Sequence, residues 1–228
     1  MDPRRPTKKL AAAKPLVPGV TVRPTREQLR AAYGKTIRDL IVPDLRVLFI
    51  GINPSLYSAA VGHHFARPGN RFWPTLYGAG FTDRLLAPAE ERLLLDRGYG
   101  ITNLVDGATA QAAELTEQDL STGVRRLEKK VARFRPRWVA FLGISTYQAA
   151  WDRSANSVGP QKVRFGGARV WLLPNPSGLN AHYQLPALVR LFGDLRLQTT
   201  RADGRSGQSE ANDEPLISKK NGRRLNRR

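Results

Sequence analysis

The 228-residue chain has no cysteine and three histidines, two of them adjacent as His63–His64, so disulfides, cysteine nucleophiles and iron–sulfur clusters are excluded and no zinc-ligand spacing exists; no metal or other cofactor is expected. No apolar run approaches the roughly 18 residues of a membrane span, and no apolar stretch of signal-peptide length follows the basic N-terminus, so a cytosolic protein with no membrane partner is expected; a monomer is expected as well. The formal charge is +18, and residues 38–198 alone carry 20 Lys or Arg against 13 acids, which points the folded part itself toward a polyanion.

In chain order, residues 1–24 are proline-rich and basic and are expected to be disordered. Thr25 and Gln28 form a capping-box pattern that predicts a helix through Leu40, ended by Pro43. Arg46–Gly51 is a short apolar run ending in Gly and predicts a buried strand. Helices are predicted over 71–79 and Pro88–Arg97, and a strand over Ile101–Leu104. Leu120, Val124, Leu127 and Val131 are spaced for a helix over Leu115–Arg133. Arg137–Gly143 reads as a strand, Ser145–Asp152 as a helix, and Val163–Arg164 with Arg169–Pro174 as strands about a Gly166–Gly167 turn. Leu185–Leu197 closes a globular domain over 25–198, and 199–228 is expected to be a second disordered basic tail. The alternation predicts a single α/β domain with a mostly parallel central sheet flanked by helices in three layers.

In such sheets ligands bind beyond the carboxyl ends of the strands. Two strand ends here run into loops that each hold an Asn before a Pro. Gly51 lets a ligand approach the backbone, and Pro54 forces Asn53 out of the helical region. Pro174 and Pro176 bracket Asn175 in the same way. An isolated Asn–Pro is more often a plain turn, so the pair carries the signal. Leu179 is an apolar residue in a polar loop, either a core anchor or a wedge for a base stack. Between the loops, Phe65–Trp73 interleaves aromatics with Arg67 and Arg71, a pattern suited to base stacking beside phosphate contacts; Phe72 and Trp73 read as core, Phe65 as a ligand contact.

Taken in order, GINPSL (Gly51–Leu56), FARPGNRFW (Phe65–Trp73), GFTDR (Gly80–Arg84), GITNLVD (Gly100–Asp106) and LPNPSGLN (Leu173–Asn180) resemble the mismatch-specific uracil and thymine DNA glycosylases of the uracil-DNA glycosylase superfamily. The resemblance spans nearly all of 45–195. It implies a uracil-DNA glycosylase-like fold and a monofunctional enzyme that flips uracil from duplex DNA at G:U mismatches and hydrolyses its glycosidic bond, initiating base excision repair. By resemblance Asn53 places the attacking water and Phe65 stacks on the flipped base. The main chain near Ile52 and Phe65 reads the base edge, Ser58 lies near its five-position, and Asn175 attends the departing base. Gly178, Leu179 and Asn180 match the wedge that reads the opposite guanine. Arg67 and Arg71 are the expected phosphate contacts. Asp106 is a second catalytic candidate, against a cap or turn role. Ser55, Asn180 and Ala181 depart from the residues common in close relatives, and Asn103 stands where some relatives have Lys. The open alternatives are another main lesion (thymine, hypoxanthine or an alkylated cytosine) and a DNA-binding protein without activity.

Overall fold

A computed structural model describes residues 23–150 and 157–209. A five-stranded sheet of order β2-β1-β3-β5-β4 is built from β1 (Val47–Gly51), β2 (Tyr99–Asn103), β3 (Trp138–Leu142), β4 (Gly159–Phe165) and β5 (Ala168–Leu173). β1, β2, β3 and β5 run parallel, and β4 pairs antiparallel to β5 through the Gly166–Gly167 turn. Alternation along β1 creates two cores. Val47 and Phe49 face the layer of α3 (Phe72–Gly78) and α6 (Leu185–Ser209), packing with Trp73, Leu188 and Phe192. Leu48 and Ile50 face the layer of α4 (Glu117–Phe134) and α5 (Ile144–Ala150), packing with Leu127, Val131 and Tyr147. The expected three-layer α/β domain is therefore what forms. Phe49 is the hub of the first core, with the rings of Phe72, Phe81, Tyr99 and Phe192 all within 6.5 Å of its own.

Several predicted elements change shape. The capping box at Thr25 forms, but α1 covers only Arg26–Arg30. Beyond it Gly34 takes φ +72°, and the chain turns extended. The Gly34 N–H donates to Ala108 O, the Ala108 N–H donates to Lys35 O, and Leu40 bridges Ile101. Tertiary pairing thus replaces the helical bonds predicted for 31–40. A short helix that the sequence pattern did not suggest, α2 (Leu56–Val61), follows β1, capped by the Ser55 side chain on the Ser58 N–H. Pro88–Arg97 winds as a 3-10 helix. α6 runs on to Ser209, past the expected domain end at 198. Thr199 is buried there, and no proline follows before Pro215. The tail readings for 1–22 and 210–228, and the end of the predicted helix at Trp151–Asp152, lie outside the described residues.

Candidate active site

The chain leaves β1 toward β2 on one side of the sheet and later returns to β3 on the other. Such a reversal opens a crevice at the carboxyl ends of the strands. A cavity of about 660 Å³ occupies it, and Gly51, Asn103, Leu142 and Asn175 line it from the ends of β1, β2, β3 and β5. Gly51 is fixed by this crowding: a Cβ there would stand 2.6 Å from Asn103 Oδ1 and 3.5 Å from Phe65 Cζ.

Asn53 reaches the cavity with its amide orientation determined. Its Nδ2 donates to Gly107 O at 3.1 Å and to Thr109 Oγ1 at 2.7 Å. Thr109 spends its own hydroxyl hydrogen on Gln111 O at 2.8 Å, so it accepts from Asn53 and the amide nitrogen must face it. Asn53 Oδ1 is left as an acceptor at a cavity-lining position. Thr109→Val removes one of these two tethers. Turnover is expected to fall about tenfold, since loss of orientation alone erodes rate steeply, and Thr109→Ser is expected to restore it. Steady-state kinetics on both variants checks this.

Two further amides line the cavity. Asn103 is buried, at 6% exposure, and its side chain takes no hydrogen bond among the described residues. Both of its amide atoms are left to the cavity's contents. Sequence reasoning did not select it. The available signal was a polar residue ending a buried parallel strand, the same placement that singled out the loop after β1. Asn175 accepts from the Ser177 N–H through Oδ1 at 2.9 Å, so its Nδ2 remains as a donor.

Phe65 sits in the left-handed region at φ 53°, a conformation that costs a non-glycine residue about 1 kcal/mol or more. Two contacts hold it there. Its ring stacks on Phe72 with centroids 4.1 Å apart, and the next N–H, of Ala66, donates to Ser58 Oγ at 3.1 Å. Ser58 is buried and also accepts from the Ser55 hydroxyl at 3.1 Å. Its hydroxyl therefore ties α2 to the loop that carries Phe65, as well as lining the cavity. Ile52 lines the cavity too, and its carbonyl accepts from the Val105 N–H at 2.8 Å.

The remaining sequence candidates divide. Arg67 is exposed at the cavity and Leu179 stands at its mouth with 79% of its surface exposed, which removes the core-anchor reading of Leu179. Gly178 packs against Gly69, whose carbonyl would lie 2.5 Å from a Cβ at 178. Asn180 braces its own loop by donating from Nδ2 to Asn175 O at 2.9 Å. Arg71 is not the free phosphate contact expected: its guanidinium donates to Tyr183 O at 2.7 Å, to Asn180 O at 2.8 Å and to Ser177 O. Nor does the structure bring Asp106 to the cavity. Its carboxylate is paired with Arg126 of α4 at 2.5 Å. Asp106→Asn is accordingly expected to keep turnover within about threefold, because the carboxylate does not line the cavity and its part-exposed ion pair adds little to the fold, and kinetics on that variant separates the two candidates.

His64 lines the cavity, and Glu91 ties it to its neighbour His63. Glu91, buried at 6% exposure, accepts from the His64 N–H at 2.8 Å and pairs with His63 Nδ1 at 3.1 Å. His64 Nε2 lies 3.2 Å from Arg38 O, so this nitrogen carries the hydrogen. Burial pushes the His64 pKa below its ordinary 6.5, against the pull of Glu91. The folded protein thus binds this proton less readily than the unfolded chain. The resulting stabilisation is complete above 6.5 and is lost as pH falls below it. Thermal melts from pH 8 to 5 should show a decline beginning near 6.5 that His64→Gln flattens.

The solution structure of a candidate uracil DNA glycosylase from Methanosarcina acetivorans is similar at 16% identity, with a TM-score of 0.48 over 72% of this chain and 98% of that one. The family model for the uracil DNA glycosylase superfamily matches residues 39–196, which contain the sheet and every lining residue from Asn53 to Leu179. On that match the chain belongs to the uracil DNA glycosylase superfamily.

Proposed function

We propose that the protein is a monofunctional glycosylase of the mismatch-specific type, removing uracil from G:U pairs in duplex DNA. The observation that carries this reading is Asn53, whose donors are tied to Gly107 and Thr109 so that Oδ1 alone is offered to the cavity. An amide is a poor base, but a fixed acceptor orients one water hydrogen and so aims the water at C1′. Phe65 provides a flat apolar face, already seated on Phe72. Asn103 has the acceptor and donor that match uracil N3–H and O4. Asn175 Nδ2 is a donor for the negative charge that grows on the leaving base. No lysine lines the cavity among the described residues, which fits hydrolysis by water rather than attack by an amine.

The target bond is hidden in the duplex, so the nucleotide must leave the stack. Leu179 is exposed as a wedge must be, and Arg67 is free to meet a backbone phosphate. Flipping is easier at a mismatch, which favours G:U over A:U. Ser58, buried and engaged at the cavity wall, leaves little freedom beside a five-methyl group. Matched duplexes with G:U, A:U and G:T, and a uracil single strand, test the reading. Faster release from G:U than from A:U, and little from G:T, is expected. Equal rates on G:T and G:U would point to the thymine-accepting alternative, and no release from any of them to a binding protein without activity.

A further inference from the structure

Leu179 has no packing of its own to hold it upright, at 79% exposure. Its loop is nonetheless fixed at several main-chain points by one side chain. The Arg71 backbone N–H donates to Pro176 O at 2.9 Å. The guanidinium then spans the loop, donating to carbonyls on both sides of Leu179, Ser177 O before it and Asn180 O after it, and to Tyr183 O beyond. Gln184 Oε1 is a fourth, longer contact at 3.4 Å. A planar fork of donors suits this bridging, which a lysine ammonium, a single point, does not reproduce. Beneath the loop, Gly178 rests on the Gly69 carbonyl with no room for a Cβ. Gly69 and Arg71 belong to the same segment as Phe65, so the wedge loop is seated on the loop that carries the base-stacking ring.

We propose that Arg71 is a positioning residue that holds Leu179 in its inserting conformation before DNA arrives, and that it thereby sets the enzyme's ability to open a duplex. The proposal rests on the reading of Leu179 as a wedge. Ordering the loop in the free protein removes an ordering cost from the flipping step, as preorganisation does in binding generally.

The test uses the full chain with Arg71→Met, and Leu179→Ala as the reference. Single-turnover uracil release is measured from a G:U duplex and from a duplex with a pyrene nucleotide opposite uracil. Pyrene fills the vacated stack and does the wedge's work itself. Arg71→Met is expected to slow release from G:U at least tenfold and to recover to within threefold of wild type opposite pyrene, as Leu179→Ala does, with the double variant no slower than either single one. Amide exchange across 176–184, measured without DNA, is expected to accelerate at least tenfold. Equal losses on both duplexes, or unchanged exchange, overturn the proposal. Wild type inactive on both duplexes sinks the glycosylase reading instead, and the exchange measurement still decides the clamp. Should Arg71→Met not fold, Gly178→Ala, which unseats the same loop, takes its place with the same outcomes.

Discussion

Asn53→Ala is expected to slow uracil release from a G:U duplex by at least about 100-fold, the scale on which misplacing a reactant group costs rate. Duplex affinity should stay within about threefold, because Arg67 and Leu179, the proposed phosphate contact and wedge, are untouched. The effect is large because the chemistry has few other supports. As the glycosidic bond breaks, positive charge grows on the sugar and negative charge on the base. The water must arrive on the sugar as this happens. In the proposed reaction Asn53 Oδ1 is the acceptor held for it, since Gly107 O and Thr109 Oγ1 take both amide hydrogens. Asp106, the one carboxylate suspected nearby, is turned to Arg126. The Asn53 effect should therefore contain the Thr109 effect: in the double variant, Thr109→Val should cost nothing further. Single-turnover rates with a parallel binding titration check all three statements.

Asn103→Leu is expected to cost about 30- to 150-fold in kcat/KM on uracil, the loss of the two hydrogen bonds proposed for it at about 1–1.5 kcal/mol each. Thermal stability should hold or rise, because the Asn103 side chain, at 6% exposure, makes no hydrogen bond among the described residues and an apolar group of similar shape removes a poorly solvated amide. Reduced activity with raised stability is the signature of a residue kept for its ligand, and a purely structural Asn would lose both. Melting curves beside kinetics make the distinction.

The sheet was legible because β1, β3 and β5 are short apolar runs whose residues are buried throughout the strand or nearly so. The two Asn–Pro loops were legible because proline restricts its predecessor, and that local rule survives tertiary contact. The segment 31–40 was not, since its backbone bonds go to Ala108 and Ile101, far along the chain. Arg71 shows the same limit at the site. From sequence it is a basic residue among aromatics and reads as a phosphate contact. Only the fold brings three carbonyls of a loop about 110 residues later around its guanidinium. Asn103 and Thr109 were missed for a related reason: what marks them is what they lack or share in space, a free buried amide and a hydroxyl already committed to Gln111 O.

In the proposed reaction this cavity hydrolyses the glycosidic bond of uracil with a water placed by Asn53. Quantifying free base from a G:U duplex under single turnover, with wild type and Asn53→Ala side by side, tests it most directly. Stoichiometric free uracil from wild type, a strand that breaks only after alkali, and at least about a hundredfold slower release by Asn53→Ala are expected. Strand cleavage without alkali, or equal release by the two proteins, would contradict it.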